Sequence, residues 1–104
     1  MIFKKMLKNL ISIKFFILLM VDELEIFKKK LLYRASYRGT KEMDILLSGF
    51  VKKYIDDFDM KQLLELEKFL KFEDETILNF YNFDVTENQI EKNPISLIFK
   101  KYKF

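Results

Sequence analysis

Apolar residues recur every three or four positions along most of the chain, the spacing that places side chains on one face of an α-helix. The pattern predicts helices at about residues 22–36, 41–57 and 75–82, one after Asp59, and one from Pro94 onward. Polar segments separate them. The apolar positions with the clearest helical spacing are expected to form the core: Phe27, Leu31, Leu46, Phe50, Leu66 and Phe69.

Residues that cap helices stand where these stretches begin. A capping side chain satisfies backbone N–H groups that have no partner inside the helix. Asp59 and Gln62 have the spacing of a capping box, and Asn93 followed by Pro94 fits an N-cap and a first helical residue. Gly39 follows the first predicted helix, where a positive φ would turn the chain. The remaining predicted N-caps are Asp22 and Thr40.

Composition supports a helical fold and excludes much enzyme chemistry. Two Gly and one Pro are few for 104 residues, whereas sheets joined by tight turns usually need more. The chain has no His and no Cys, so it lacks a side chain that titrates near neutral pH, a thiolate nucleophile and a soft metal ligand. We therefore predict an all-α fold, a small compact bundle of about five helices, and no catalytic residue.

The first 21 residues differ from the rest of the chain. They carry four lysines and no acidic residue, and their apolar run is interrupted by Lys14 and too short to span a bilayer. Three interpretations remain open: an amphipathic surface helix, a weak targeting segment, or an upstream extension of a protein that starts at Met20. We favour the last. It divides the chain into an extension, 1–21, and one helical domain, 22–104, with residues 1–19 dispensable and no stable membrane insertion.

The net charge of +3 arises in that extension, because the remainder of the chain is close to neutral. The basic stretch between Lys28 and Arg38 is best interpreted as a solvated helix face, so no nucleic-acid partner is expected. Asp56, Asp57 and Asp59 lack the glycine of a calcium loop, and a helix end with a capping signal explains them better than a metal site.

Two blocks of sequence resemble a known family. The first runs from Lys30 through Arg38-Gly39-Thr40-Lys41-Glu42, an Arg-Gly-x-x-Glu motif, and on to Leu47. The second comprises Leu63 to Leu70, Asp74-Glu75 and the segment from Leu78 to Tyr81. From Asp22 to about Phe83 the chain is similar to the small FAD assembly factors of succinate dehydrogenase.

The resemblance implies a chaperone that binds the flavoprotein subunit of succinate dehydrogenase and promotes covalent attachment of FAD to it. Fumarate reductase is a further candidate client. FAD would belong to the client, with none bound tightly by this chain, which would be monomeric when free. The implied location is the cytoplasm, or the mitochondrial matrix if the source is eukaryotic. The residues expected to bind the partner are Arg38, Gly39, Glu42, Arg34 and Asp44.

Other interpretations compete with this one. The motif could be purely structural, with Arg38 and Glu42 paired across the turn and Gly39 ending the helix. The chain could instead be a small helical antitoxin or regulatory binding module, or a membrane-surface peptide led by its N-terminal segment. If the motif faces a partner, replacing Arg38 or Glu42 by Ala should leave the fold nearly intact.

Overall fold

The computed structural model describes residues 2–104 and places side chains from residue 12 onward. Within that range the chain is helical and has no strand, which confirms the predicted all-α fold. A single 3-10 turn, Ile90–Lys92, interrupts the last connection. The five α-helices are α1 (Ile2–Ser36), α2 (Lys41–Tyr54), α3 (Met60–Phe69), α4 (Asp74–Phe83) and α5 (Pro94–Lys101).

Helix α1 is longer than predicted. The expected helix start at Asp22 is wrong, because α1 is continuous from Ile2 to Ser36 and Asp22 is exposed on its surface. The segment contains no Gly or Pro that would end a helix, so an acidic residue alone does not create a boundary. Met1 and the side chains of 2–11, which belong to the predicted extension, lie outside the described residues. The division at residue 21 stays a prediction.

The starts of α2, α3 and α5 agree with the predicted caps. The Thr40 hydroxyl accepts the backbone N–H of Met43 at 3.3 Å. Asp59 and Gln62 form the reciprocal capping box of α3. At α5, the Asn93 side chain accepts the backbone N–H groups of Ile95 and Ser96, and Pro94 is the first helical residue. Helix α2 ends at Tyr54, three residues earlier than predicted, because residues 55–57 form a turn.

Aromatic rings from four parts of the chain meet in the core around Phe50. The Phe50 ring lies 5.1 Å from that of Phe99, 5.5 Å from Tyr102 and 6.2 Å from Phe69, measured between centroids. Five of the six predicted core residues are buried, whereas Phe27 is partly buried and packs against the core edge. Burial of this apolar surface is the main favourable term for folding.

Burial differs from the predicted pattern in two places. Large apolar side chains of α1 between Ile13 and Val21 are about half exposed or more, since this part of the helix lies beyond the core. After α4, Ile90 is fully buried in a connection that otherwise looks polar. Among the described residues, no helix is long and apolar enough to cross a membrane.

Candidate functional site

The turn between α1 and α2 holds the central residues of the motif. Gly39 has φ +118°, a backbone conformation that L side chains rarely adopt. A Cβ at this position would meet no atom within 4 Å. The glycine is therefore required by the backbone and leaves an open surface above the turn. The predicted positive φ of Gly39 is confirmed.

Asp44 closes this turn from the inside. Its carboxylate accepts the backbone N–H of Arg38, six residues earlier in the chain, while the Thr40 carbonyl accepts the Asp44 N–H at 3.0 Å. Asp44 is partly buried. It therefore shapes the turn, and a role in contacting a partner stays a prediction.

Arg38 is anchored inside the molecule. Its guanidinium donates to the Asp74 carboxylate at 2.8 Å, to the Leu70 carbonyl at 2.6 Å and to the Phe72 carbonyl at 2.8 Å. Only 11% of the side chain is exposed. Arg38 is therefore not the surface residue that the expected tolerance of Arg38→Ala presupposes. The alternative Arg38–Glu42 pair is wrong, because these three acceptors all belong to the α3–α4 connection and the start of α4. The planar guanidinium has five donors in a fixed geometry, so it can hold the three acceptors in one arrangement.

Arg34 lies in the last turn of α1 and forms a looser contact. Its guanidinium is 3.4 Å from the Glu67 carboxylate on α3, and the two side chains are 36% and 28% exposed. An ion pair of this kind contributes little to stability. Arg34 thus retains exposed surface beside the Arg38 anchor, and its predicted contact with a partner is not tested by this geometry.

Glu42 has the opposite environment to Arg38. It is the second residue of α2, is exposed, and has no ion-pair partner among the described side chains. Its carboxylate stands in the first turn of a helix, where the helix dipole favours negative charge. The motif glutamate therefore remains available for a contact outside the chain.

A cleft opens beside Glu42 between α2 and α4. We name it the α2–α4 cleft. Its volume is about 320 Å³. The wall from α4 is fixed by the Tyr81 hydroxyl, which donates to the Tyr102 carbonyl at 2.6 Å. The lining residues are Glu42, Ile45, Leu46, Leu78, Tyr81, Asn82 and Phe104.

The sequence did not predict this cleft or the Arg38 anchor. In the sequence, Asp74 stands out only as part of the second similar block, although its charge is opposite to that of Arg38. Ile45 does not belong to the apolar face predicted for α2, and its side chain is 42% exposed. An apolar residue outside that face is the signal in the sequence that could have indicated an exposed apolar surface at this place. No group of three or more metal-ligating side chains occurs among the described residues.

Comparison with known proteins supplies the family. The sequence model of the Sdh5 family, described as flavinator of succinate dehydrogenase, matches residues 29–102. The chain belongs to this family. The match includes every predicted partner-binding residue and continues through α5, beyond the end of the resemblance seen in the sequence. Six of the seven residues that line the α2–α4 cleft lie inside it, the exception being Phe104.

Individual relatives agree with this assignment. Succinate dehydrogenase assembly factor 2-B, mitochondrial, of Drosophila simulans is 43% identical over 49 residues, 47% of this chain and 31% of that protein. Succinate dehydrogenase assembly factor 2, mitochondrial, of Scheffersomyces stipitis is 37% identical over 67 residues, 62% of this chain and 45% of that protein. FAD assembly factor SdhE of Acetobacter pasteurianus is 38% identical over 53 residues, which are 51% of this chain and 49% of that protein.

The chain thus aligns with less than half of the length of each of these three relatives. No solved structure matches the chain. The comparisons therefore establish the family, while the fold and the geometry of the site come from the structure described above.

Proposed function

We propose that this chain is an assembly factor that binds the flavoprotein subunit of succinate dehydrogenase and promotes covalent attachment of FAD to that subunit. The observation that carries the proposal is the family match over residues 29–102, which covers the motif turn and all of α2 to α5. The three relatives described above support it, because each is named as an assembly factor.

In this proposal the chemistry takes place on the client. The chain has no His or Cys to act as a nucleophile or as a general base near neutral pH. Its contribution would be to bind one conformation of the client better than another, which shifts the population toward the conformation that reacts with FAD. The chain would act as a chaperone, with FAD held by its client.

The motif turn is the proposed contact region. Its glycine leaves the surface open, and Glu42 presents a carboxylate that is not engaged within the described chain. Arg38 would support this surface from inside, and Arg34 would flank it. Fumarate reductase as a client, the monomeric free state and the antitoxin alternative stay predictions. We place the protein in the cytoplasm, or in the mitochondrial matrix if the source is eukaryotic, as the names of two relatives suggest.

The test is co-expression of the flavoprotein subunit with and without this chain in a host that lacks its own assembly factor. Covalent flavin is then measured by fluorescence of the denatured subunit after electrophoresis. We expect the flavin signal per subunit to rise several-fold when the chain is present. Equal signals in both cultures, with equal amounts of folded subunit and of this chain, would contradict the proposed function.

A further inference from the structure

The α2–α4 cleft combines apolar walls with one charged group. Ile45, Leu46 and Leu78 provide aliphatic surface, and Phe104 adds an aromatic ring that is 79% exposed. Among the side chains that the structure describes, Glu42 is the one charged group in the lining. Contiguous exposed apolar surface is a feature of protein interaction sites. The cleft therefore has the composition of a recognition pocket.

We propose that the α2–α4 cleft receives a large apolar side chain of the flavoprotein subunit, with a neighbouring Lys or Arg of that subunit paired to Glu42. This inference rests on the proposed function and adds the chemistry of the contact. Large side chains that fill a pocket on the partner are among the residues that dominate binding energy, and a charge pair at the rim adds specificity.

Charge and size argue against FAD as the occupant. The diphosphate of FAD is anionic, and a carboxylate at the rim would repel it, whereas it attracts a cation. A volume of about 320 Å³ also lies at the lower end of the usual range for small-molecule sites, roughly 300–1,000 Å³. A cleft of this size suits one or two side chains better than a dinucleotide.

Position along α2 argues for a contact continuous with the motif turn. Glu42 and Ile45 are three residues apart, so their side chains share one face of the helix. Glu42 lies in the first turn of α2, directly after the motif turn, and also lines the cleft. A partner segment that contacts both the open surface at Gly39 and the cleft would therefore pass Glu42.

The deciding variant is Ile45→Lys. The new ammonium would stand one helical turn from Glu42, where it can pair with that carboxylate and place a charge in the apolar wall. Leu64→Lys is the matched control, because Leu64 is 46% exposed on α3 and does not line the cleft, compared with 42% for Ile45. Both positions lie within helices and both side chains are partly solvated, so both variants are expected to fold.

The probe is the purified apo flavoprotein subunit of the same species, titrated against each full-length variant. We expect Ile45→Lys to bind about tenfold more weakly than the wild type or worse, and Leu64→Lys to change affinity less than about twofold. Equal affinities for the two variants would overturn the cleft as a docking site. Thermal melts of the free variants separate lost binding from lost folding.

A second measurement identifies the occupant. A photo-reactive benzoylphenylalanine at position 45 should cross-link to the flavoprotein subunit, and the same group at position 64 should not. Mapping should place the cross-link on an apolar residue within a few positions of a Lys or Arg. A cross-link to a second copy of this chain, or none to protein, would overturn the proposal.

Flavin attachment by the wild type and by Ile45→Lys shows whether only the cleft proposal fails or the proposed function fails as well. If the wild type promotes flavin attachment and Ile45→Lys does so equally well, the function stands and the cleft proposal is wrong. If the wild type neither binds the subunit nor promotes attachment, both are wrong.

Discussion

Arg38 and Glu42 lie four residues apart at the two ends of one turn, yet their surroundings differ. The Arg38 guanidinium is bound by a carboxylate and two carbonyls of the segment around the α3–α4 connection, and 11% of its side chain is exposed. Glu42 is exposed beside an apolar cleft and has no ion-pair partner among the described side chains.

The difference separates two tasks within one short motif. Arg38 fixes the position of the turn against the bundle, and Glu42 presents a charge on the surface that the turn creates. Variants of Arg38 should therefore lose stability first, and their activity should fall as a consequence. Variants of Glu42 should lose activity at nearly unchanged stability. Gly39, between them, should show both effects.

The largest loss of stability is expected for Arg38→Ala. The substitution leaves the Leu70 and Phe72 carbonyls without their side-chain donor and Asp74 without its ion-pair partner. Leaving partly buried polar groups unsatisfied costs about 1–3 kcal/mol. Arg34→Ala is the control, because its single contact at 3.4 Å is more exposed and contributes up to about 1 kcal/mol.

The stabilities of Arg38→Ala and Arg34→Ala are compared by urea unfolding monitored by circular dichroism. A free energy of unfolding that falls equally in the two variants would show that the Arg38 anchor contributes no more than a surface ion pair. The earlier expectation that Arg38→Ala leaves the fold nearly intact would then be restored.

A smaller loss is expected at Gly39. Replacing it by Ala forces an L side chain into φ +118°, at a cost of about 1 kcal/mol or somewhat more. Gly39→Arg should cost about the same stability, since the space around the position is open for at least 4 Å. The Ala variant is therefore the control for the Arg variant.

Flavin attachment should separate these two variants. If a partner approaches the turn closely, the long side chain of Gly39→Arg blocks it, and covalent flavin on the client falls further than with Gly39→Ala. Equal flavin levels at equal stability would place the partner elsewhere. Melting temperatures of both variants provide the check on stability.

Local sequence signals were sufficient for most helix ends. The caps at Thr40, Asp59 and Asn93 form as predicted, because each satisfies backbone groups within three residues and needs no tertiary information. Asp22 gave the same signal and was wrong. A capping side chain stabilises only a helix terminus, where backbone groups have no partner inside the helix. Asp22 lies within the continuous helix α1, so it has no such group to satisfy.

Long-range features could not be predicted in the same way. The partners of Arg38 lie 32 to 36 residues away, and they meet it only when the α3–α4 connection packs against the turn. The α2–α4 cleft likewise depends on the placement of two helices and of Phe104. Periodicity identifies which face of a helix is apolar, but it does not show where two faces leave a space.

The smallest change in stability, and the clearest loss of activity, is expected for Glu42→Gln. The substitution keeps the size of the side chain and removes its charge, and exposed positions of this kind usually change stability by less than about 0.5 kcal/mol. Glu75→Gln is a close control. Glu75 is likewise exposed and the second residue of its helix, so both variants lose the same favourable interaction with a helix dipole. Only Glu42 lines the cleft.

Covalent flavin on the co-expressed flavoprotein subunit should therefore fall several-fold with Glu42→Gln and remain at the wild-type level with Glu75→Gln. Wild-type flavin in both variants would mean that the motif glutamate makes no charged contact with the client, and the contribution of the motif would then rest on Arg38 and Gly39.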